Sequence, residues 1–89
     1  MSSLTEIQNA LVREGLLTPE EEFVTKLIAH IIFVRVKEGI SQSELSRRSG
    51  VPQKTISRME NRLSLPSIQT LYKLAEAMDY KLNFELEKC

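Results

Sequence analysis

The chain has 89 residues, of which 42% are apolar and 27% charged, and its formal net charge at pH 7 is zero. This length suits one small domain with one core. No apolar run approaches the roughly 18 residues of a membrane-spanning helix, so no membrane span is expected. The N-terminus has no basic region followed by an apolar run, so no signal peptide is expected and the predicted location is the cytoplasm.

Residue types that carry chemistry are scarce. Cys89 is the single cysteine and His30 the single histidine, so neither an internal disulfide nor a zinc cluster is expected. The chain contains no glycine-rich phosphate loop and no HExxH motif. We therefore expect no catalytic residues, no metal and no cofactor, and predict that the protein is not an enzyme.

The charges are distributed unevenly along the chain. Residues 1–34 have a net charge of −3 and residues 63–89 a net charge of −1. Residues 35–62 carry seven basic and three acidic side chains, a net charge of +4. Because clustered positive charge matters more for nucleic-acid binding than the total, the middle of the chain is the candidate contact region.

The N-terminal part predicts two helices. Residues 4–14 place Leu4, Ile7, Leu11 and Val12 on one face of a short amphipathic helix that Gly15 can end. Thr18 is the expected N-cap of a longer helix over residues 19–38, with Pro19 at its first position.

This long helix has apolar residues on two opposite sides. One side, assigned to the core of the domain, consists of Phe23, Val24, Leu27, Ile28, Ile31 and Val34. The other consists of Ala29, Ile32, Phe33 and Val36. The second side is covered either by the 4–14 helix or by another protomer, and the sequence leaves that choice open.

Three further helices are predicted. Ser41 and Glu44 have the spacing of a capping box for a helix over residues 42–48. Gly50 supplies a left-handed turn before a helix over residues 52–60. The last helix, residues 66–78, is expected to face inward with Ile68, Leu71, Leu74, Ala75 and Met78.

Residues 81–87 alternate strictly, with Leu82, Phe84 and Leu86 on one face, which is typical of a strand. No second strand is evident to satisfy its backbone groups. The favoured solution is pairing with the same strand of a second copy across a two-fold axis. Docking on another protein and a frayed tail are the alternatives.

Residues 41–61, SQSELSRRSGVPQKTISRMEN, combine two short helices with a tight turn, and the second helix is polar and basic where a core helix would be apolar. That is the layout of a helix-turn-helix. Residues 31–79 resemble the Cro/C1-type family, also called XRE-like or lambda-repressor-like. The resemblance is carried by Arg35, Gly39-Ile40-Ser41-Gln42, Glu44-Leu45, Gly50-Val51, Thr55-Ile56-Ser57-Arg58, Glu60-Asn61, Pro66-Ser67 and Leu71-Lys73-Leu74-Ala75.

The resemblance implies a structural ion pair between Arg35 and Glu60. It also implies DNA contacts at the second helix and at the start of the first, with Arg47 and Arg48 as further phosphate candidates. The implied DNA-binding residues are Gln42, Gln53, Lys54, Thr55, Ser57, Arg58 and Arg62. Arg62 stands where the family often has glycine, so Asn61 is expected to take the left-handed conformation.

The flanks resemble HigA-like and HipB-like antitoxins of type II toxin–antitoxin systems. The predicted fold is mainly α: a helical extension (1–18), a lambda-repressor-like helix-turn-helix bundle (19–79) and a dimerisation strand (80–89). The predicted function is a homodimeric repressor that binds a palindromic double-stranded operator in its own operon and can bind a toxin protein. The alternatives are a stand-alone phage or mobile-element regulator, and a protein-binding module that mainly inhibits a toxin.

Overall fold

The computed structural model describes residues 18–83 and 85–88. It contains four helices, α1 (Pro19–Lys37), α2 (Gln42–Ser49), α3 (Gln53–Glu60) and α4 (Ile68–Ala77). The predicted mainly helical fold is confirmed. The predicted 4–14 helix lies outside the described residues. So does Phe84, which was predicted on the apolar face of the C-terminal strand.

Local side-chain chemistry sets the start of α1 and α2. The Thr18 hydroxyl accepts the Glu21 N–H at 3.1 Å, and Pro19 occupies the first turn of α1. The Ser41 hydroxyl accepts the Glu44 N–H at 3.0 Å. Each cap satisfies an amide that has no partner within the helix, which is why both starts were visible in the sequence.

The turn between α2 and α3 is made by Gly50. This residue has φ 77°, and its N–H donates to the Ser46 carbonyl at 2.9 Å. A side chain is strained at such a φ, so glycine suits the position. Pro52 then occupies the cap position, and α3 begins one residue later than predicted.

The last helix departs further from expectation. The Ser67 hydroxyl caps α4 by accepting the Thr70 N–H at 3.1 Å, so the helix begins at Ile68 rather than at Pro66. Ile68 is 47% exposed, and the prediction that it faces inward is wrong. It lies at the first helical position, ahead of the turns that pack on the core.

One apolar core joins the four helices. Its fully buried side chains come from α2, α3 and α4: Leu45, Ile56, Met59, Leu71 and Leu74. Ile28 and Ile31 of α1 and Val51 of the turn complete the packing between them. The two helices of the motif are therefore held in a fixed relative position, since close-packed interiors tolerate little displacement.

The two apolar sides of α1 behave differently. Val24, Leu27 and Val34 pack against the core beside Ile28 and Ile31, as expected for the first side. Phe23 was expected there too, but it is 48% exposed, so that part of the prediction is wrong. On the second side Ile32 also reaches the core. Phe33 and Val36 are 65% and 63% exposed.

The chain after α4 turns back towards α1. The Tyr80 N–H donates to the Ala75 carbonyl at 2.9 Å, and the Tyr80 hydroxyl donates to Glu38 Oε1 at 3.0 Å. Within residues 80–83 and 85–88 no strand is formed. Leu82 packs against the core of its own chain, whereas Leu86 is fully exposed.

Candidate nucleic-acid interface

Helix α3 has one apolar side and one polar side. Ile56 and Met59 have no exposed surface and fix the helix to the core. The outward positions are Gln53, Lys54 and Arg58, all exposed, while Thr55 and Ser57 are half-buried between the two sides. The structure therefore presents the first turn of α3 and its one basic last-turn residue to the surroundings.

A bidentate ion pair anchors the end of α3. Arg35 donates to both oxygens of Glu60, from Nε to Oε2 at 2.8 Å and from Nη2 to Oε1 at 2.8 Å. Arg35 Nη1 donates to the Ile40 carbonyl at 2.9 Å. The two side chains are only 15% and 8% exposed. The guanidinium thus ties α1, the α1–α2 turn and α3 together.

Gln42 joins the same cluster, a contact that the sequence did not predict. Its Nε2 donates to Glu60 Oε1 at 3.1 Å. The Gln42 carboxamide has a second N–H and an oxygen beyond this bond. Gln42 is also the first residue of α2, where backbone amides and the helix dipole favour an anion. The cluster therefore fixes a side chain beside a helix start suited to phosphate.

The chain leaves α3 through a Schellman turn at Arg62. The Arg62 N–H donates to the Met59 carbonyl at 3.1 Å and the Leu63 N–H to the Arg58 carbonyl at 2.8 Å. In this motif the left-handed residue is the one after the cap. Asn61 is the cap, with φ −89°, and Arg62 has φ 59°. The prediction that Asn61 takes the left-handed conformation is therefore wrong by one residue.

The other two predicted phosphate candidates are already engaged. Arg47 Nε donates to Glu44 Oε2 at 3.0 Å, and Arg48 Nε donates to Glu44 Oε1 at 2.9 Å. The guanidinium of Arg47, followed by that of Arg48, lowers the pKa of Glu44, and Glu44 in turn raises the pKa of Arg47. Glu44 faces these arginines, and only the Ser41 half of the capping box is formed.

The remaining basic side chains of the motif are differently placed. In the part of the chain that the structure describes, Lys54, Arg58 and Arg62 form no ion pair with a carboxylate. All three are exposed. Their positive charge is therefore available to an external anion without first breaking an internal contact.

Among residues 18–83 and 85–88, no group of three or more His, Cys, Asp or Glu side chains is arranged to hold a metal ion. No helix among these residues is long and apolar enough to cross a membrane.

Comparison with known proteins identifies the same motif in the sequence. A family model described as Helix-turn-helix matches residues 31–84. Antitoxin HigA1 of Mycobacterium tuberculosis is 36% identical over 74 residues, covering 83% of this chain and 49% of the relative. Antitoxin HipB of Escherichia coli strain CFT073 is 33% identical over 58 residues, covering 65% of this chain and 62% of the relative.

A second HipB sequence, from Escherichia coli K12, is 31% identical over 58 residues and is covered over 66% of its length. The chain thus spans about half the length of HigA1 and less than two thirds of the HipB relative from strain CFT073. No solved structure matches significantly. The family match extends over more than half of the chain and includes α2, the Gly50 turn and α3, and so the protein belongs to the Cro/C1-type, XRE-like helix-turn-helix family.

Proposed function

We propose that this protein is a sequence-specific regulator that binds double-stranded DNA with α3 in the major groove. The observation that carries this proposal is that α3 has a buried apolar side and an exposed polar side. Its apolar side is fully buried at Ile56 and Met59, and Gln53, Lys54 and Arg58 face outward. A helix fixed by its core side presents these groups without a large loss of backbone freedom on binding.

The outward residues have suitable chemistry for reading base edges. A glutamine carboxamide pairs with adenine through two hydrogen bonds, and a lysine donates to guanine. We assign these roles to Gln53 and Lys54, and assign Arg58 to a base or a phosphate. Thr55 and Ser57 are short enough for a phosphate or a thymine methyl group.

Phosphate contacts are assigned to Gln42 and Arg62, which lie at the start of α2 and just after α3. Such contacts set the position and register of the protein on the duplex, while the base contacts supply the sequence preference. The assignment of Gln42 is supported by its bond to Glu60, because that bond holds its side chain at the helix start.

The protein acts as a homodimer in this proposal. Residues 80–89 supply the pairing strand, with Leu82, Phe84 and Leu86 on its apolar face, and residues 19–79 form the DNA-binding domain. Two copies of α3 related by a two-fold axis fit a palindromic operator whose half-sites are about 34 Å apart. Occupation of a promoter by the dimer represses transcription by exclusion.

The names of the relatives support a more specific role for this regulator. HigA1 and HipB are both named antitoxins, and we assign the protein to a type II toxin–antitoxin system. It then acts in the cytoplasm, represses its own operon and binds the toxin encoded beside it. Co-purification with the product of the adjacent reading frame tests this role, and a chain that represses its operon without binding that product is a stand-alone regulator instead.

The experiment that tests DNA binding is a salt titration. The purified chain is added to its own upstream promoter DNA and to a scrambled duplex of the same length. We expect selective binding with two chains per operator and a log–log salt slope of about −0.9 for each phosphate contacted. Equal affinity for both duplexes would remove the sequence-specific role and leave protein binding as the main activity.

A further inference from the structure

A groove beside α1 is lined by Arg62 but by none of the outward residues Gln53, Lys54 and Arg58 of α3. It has a volume of about 480 Å³ and lies between α1 and the segment that connects α3 to α4. The α1 wall is formed by Glu21, Thr25, Ile28, Ala29 and Ile32. The opposite wall is formed by residues 62–65, and Glu60 contributes to the lining.

Both walls of this groove contain apolar side chains. Leu63 and Leu65 are 64% and 57% exposed, and Ala29 and Ile32 are half-buried across from them. The two exposed leucines and the side chains of Ala29 and Ile32 leave apolar surface in contact with water, which favours a covering element.

The α1 wall is a single stripe about as long as a short helix. Glu21, Thr25, Ala29 and Ile32 follow one another at intervals of four, four and three residues, so they form a single stripe along the helix. A stripe of this extent measures about 16 Å at 1.5 Å per residue. Residues 4–14, as a helix, would have about the same length, and they lie just before α1 in the chain.

The apolar positions of this preceding segment match the stripe in register. Leu11 and Thr25 are both seven residues from Thr18, Ile7 and Ala29 are both eleven, and Leu4 and Ile32 are both fourteen. In an antiparallel hairpin that closes near Thr18, each pair therefore lies at the same level. The connection, residues 15–18, has a length common between antiparallel helices.

We propose that residues 4–14 form an amphipathic helix that folds back along α1 and occupies this groove. Leu4 and Ile7 then lie between Ala29 and Ile32 on one side and Leu63 and Leu65 on the other. The segment also covers the edge of the Arg35–Glu60 ion pair, because Glu60 lines the groove. The extension stabilises the end of α3 and leaves Gln53 and Lys54 uncovered.

The first test is a cysteine cross-link in the full chain. In a Cys89→Ser background, Ile7→Cys combined with Ala29→Cys should oxidise to an intramolecular disulfide, seen as a faster-migrating chain of monomer mass on a denaturing gel. Ile7→Cys with Val36→Cys is the matched control, because Val36 is on the same helix, is 63% exposed and does not line the groove. Equal cross-linking of both pairs would overturn the proposal, and a product of twice the mass would mean that a second copy fills the groove.

The second test does not depend on disulfide geometry. Ile7→Ser, Leu65→Ser and the double variant are compared by thermal unfolding of the full chain. If Ile7 packs on Leu65, each single change lowers the Tm and the double variant unfolds close to the less stable single variant, because contacting residues are not additive. A double variant whose Tm loss equals the sum of the two single losses would show that these residues do not meet.

Discussion

At the scale of single residues, the Glu60 side chain connects α3 to two other helices of the fold. Its carboxylate accepts two hydrogen bonds from Arg35 of α1 and one from Gln42 of α2. The Glu60 side chain is only 8% exposed. Removing it leaves a guanidinium with little water around it, which costs more than the pair contributes when intact.

We therefore expect Glu60→Ala to destabilise the fold. The loss should be about 3 kcal/mol, the lower end of what breaking a buried pair costs, and should lower the Tm by more than about 10 °C in a domain of this size. Thermal unfolding followed by circular dichroism measures this. Glu76→Ala is the matched control, an exposed glutamate on α4, and a Glu60→Ala chain that melts like it would mean that the ion pair contributes nothing.

The contacts of Glu60 also show how far residue roles can be predicted. The resemblance implied the partner Arg35, and the structure contains that contact, whereas Gln42 was assigned only to phosphate. Gln42 is 18 residues from Glu60 in the sequence, and no local spacing rule connects them. The left-handed conformation was expected at Asn61 and is found at Arg62. The geometry of the Schellman turn, and not residue preference, decides which residue adopts it.

At the scale of secondary-structure elements, α3 packs with one side and leaves its basic side chains exposed on the other. Ile56 and Met59 carry its packing, and Lys54 and Arg58 are exposed without an ion-pair partner among the described residues. Substitutions on the exposed side should change DNA affinity and leave the fold intact.

Lys54→Ala and Arg58→Ala are expected to weaken operator binding. A base contact contributes about 1–3 kcal/mol, so each variant should lose roughly 5- to 150-fold in affinity with little change in Tm. Fluorescence anisotropy with operator DNA measures the loss. Lys73→Ala on α4 is the control, since it removes the same charge from another exposed helix; unchanged affinity in both α3 variants would show that another surface contacts the DNA.

For helix α2 we expect a substitution that raises DNA affinity, in contrast to the α3 variants, which lower it. Glu44 accepts hydrogen bonds from both Arg47 and Arg48, and these contacts lower its pKa. A depressed carboxyl pKa keeps this pairing in place above the ordinary value of 4.5, and the pairing is lost as the pH falls through the lowered value. At working pH the two arginines are therefore partly neutralised.

Glu44→Gln should release the two arginines and raise affinity for scrambled DNA. The Ser41 cap persists because it uses the Glu44 backbone N–H. The log–log salt slope should become steeper by up to about 2, the value for two added phosphate contacts. Adding Arg47→Gln and Arg48→Gln should abolish the gain; a Glu44→Gln chain with unchanged affinity and slope would place these arginines away from the phosphates.

At the scale of the whole molecule, the residues after α4 differ in their contact with the rest of the chain. Leu82 packs against the core of its own chain, and Tyr80 donates to Glu38 near the end of α1. Leu86 has no burial in a single chain. A change at Leu86 can therefore affect assembly without disturbing the monomer, which makes it the cleaner probe of strand pairing.

Leu86→Asp and removal of residues 81–89 should both weaken dimerisation, and operator binding should fall with it. An aspartate in a paired apolar strand face is desolvated without a partner. Sedimentation velocity measures the assembly. Glu85→Gln, on the opposite face of the proposed strand, is the control; a Leu86→Asp or truncated chain that sediments as a dimer would exclude strand pairing as the dimer contact.

The sequence by itself determined the features that depend on near neighbours. The caps at Thr18 and Ser41, the glycine turn at Gly50 and the apolar side of α3 follow from residue type and spacing over a few positions. These identified the helix-turn-helix before any contact was known, because helix starts, helix ends and amphipathic faces are local properties.

Only the tertiary structure decided the features that depend on distant segments meeting. It brought Gln42 to Glu60, turned Glu44 to Arg47 and Arg48, and packed Leu82 on its own core while leaving Leu86 exposed. It also separated the second apolar side of α1, with Ala29 and Ile32 lining a groove and Phe33 exposed. Burial and side-chain partners depend on how the helices pack. A periodic sequence pattern predicts which side of a helix is apolar, but it does not predict which segment covers that side.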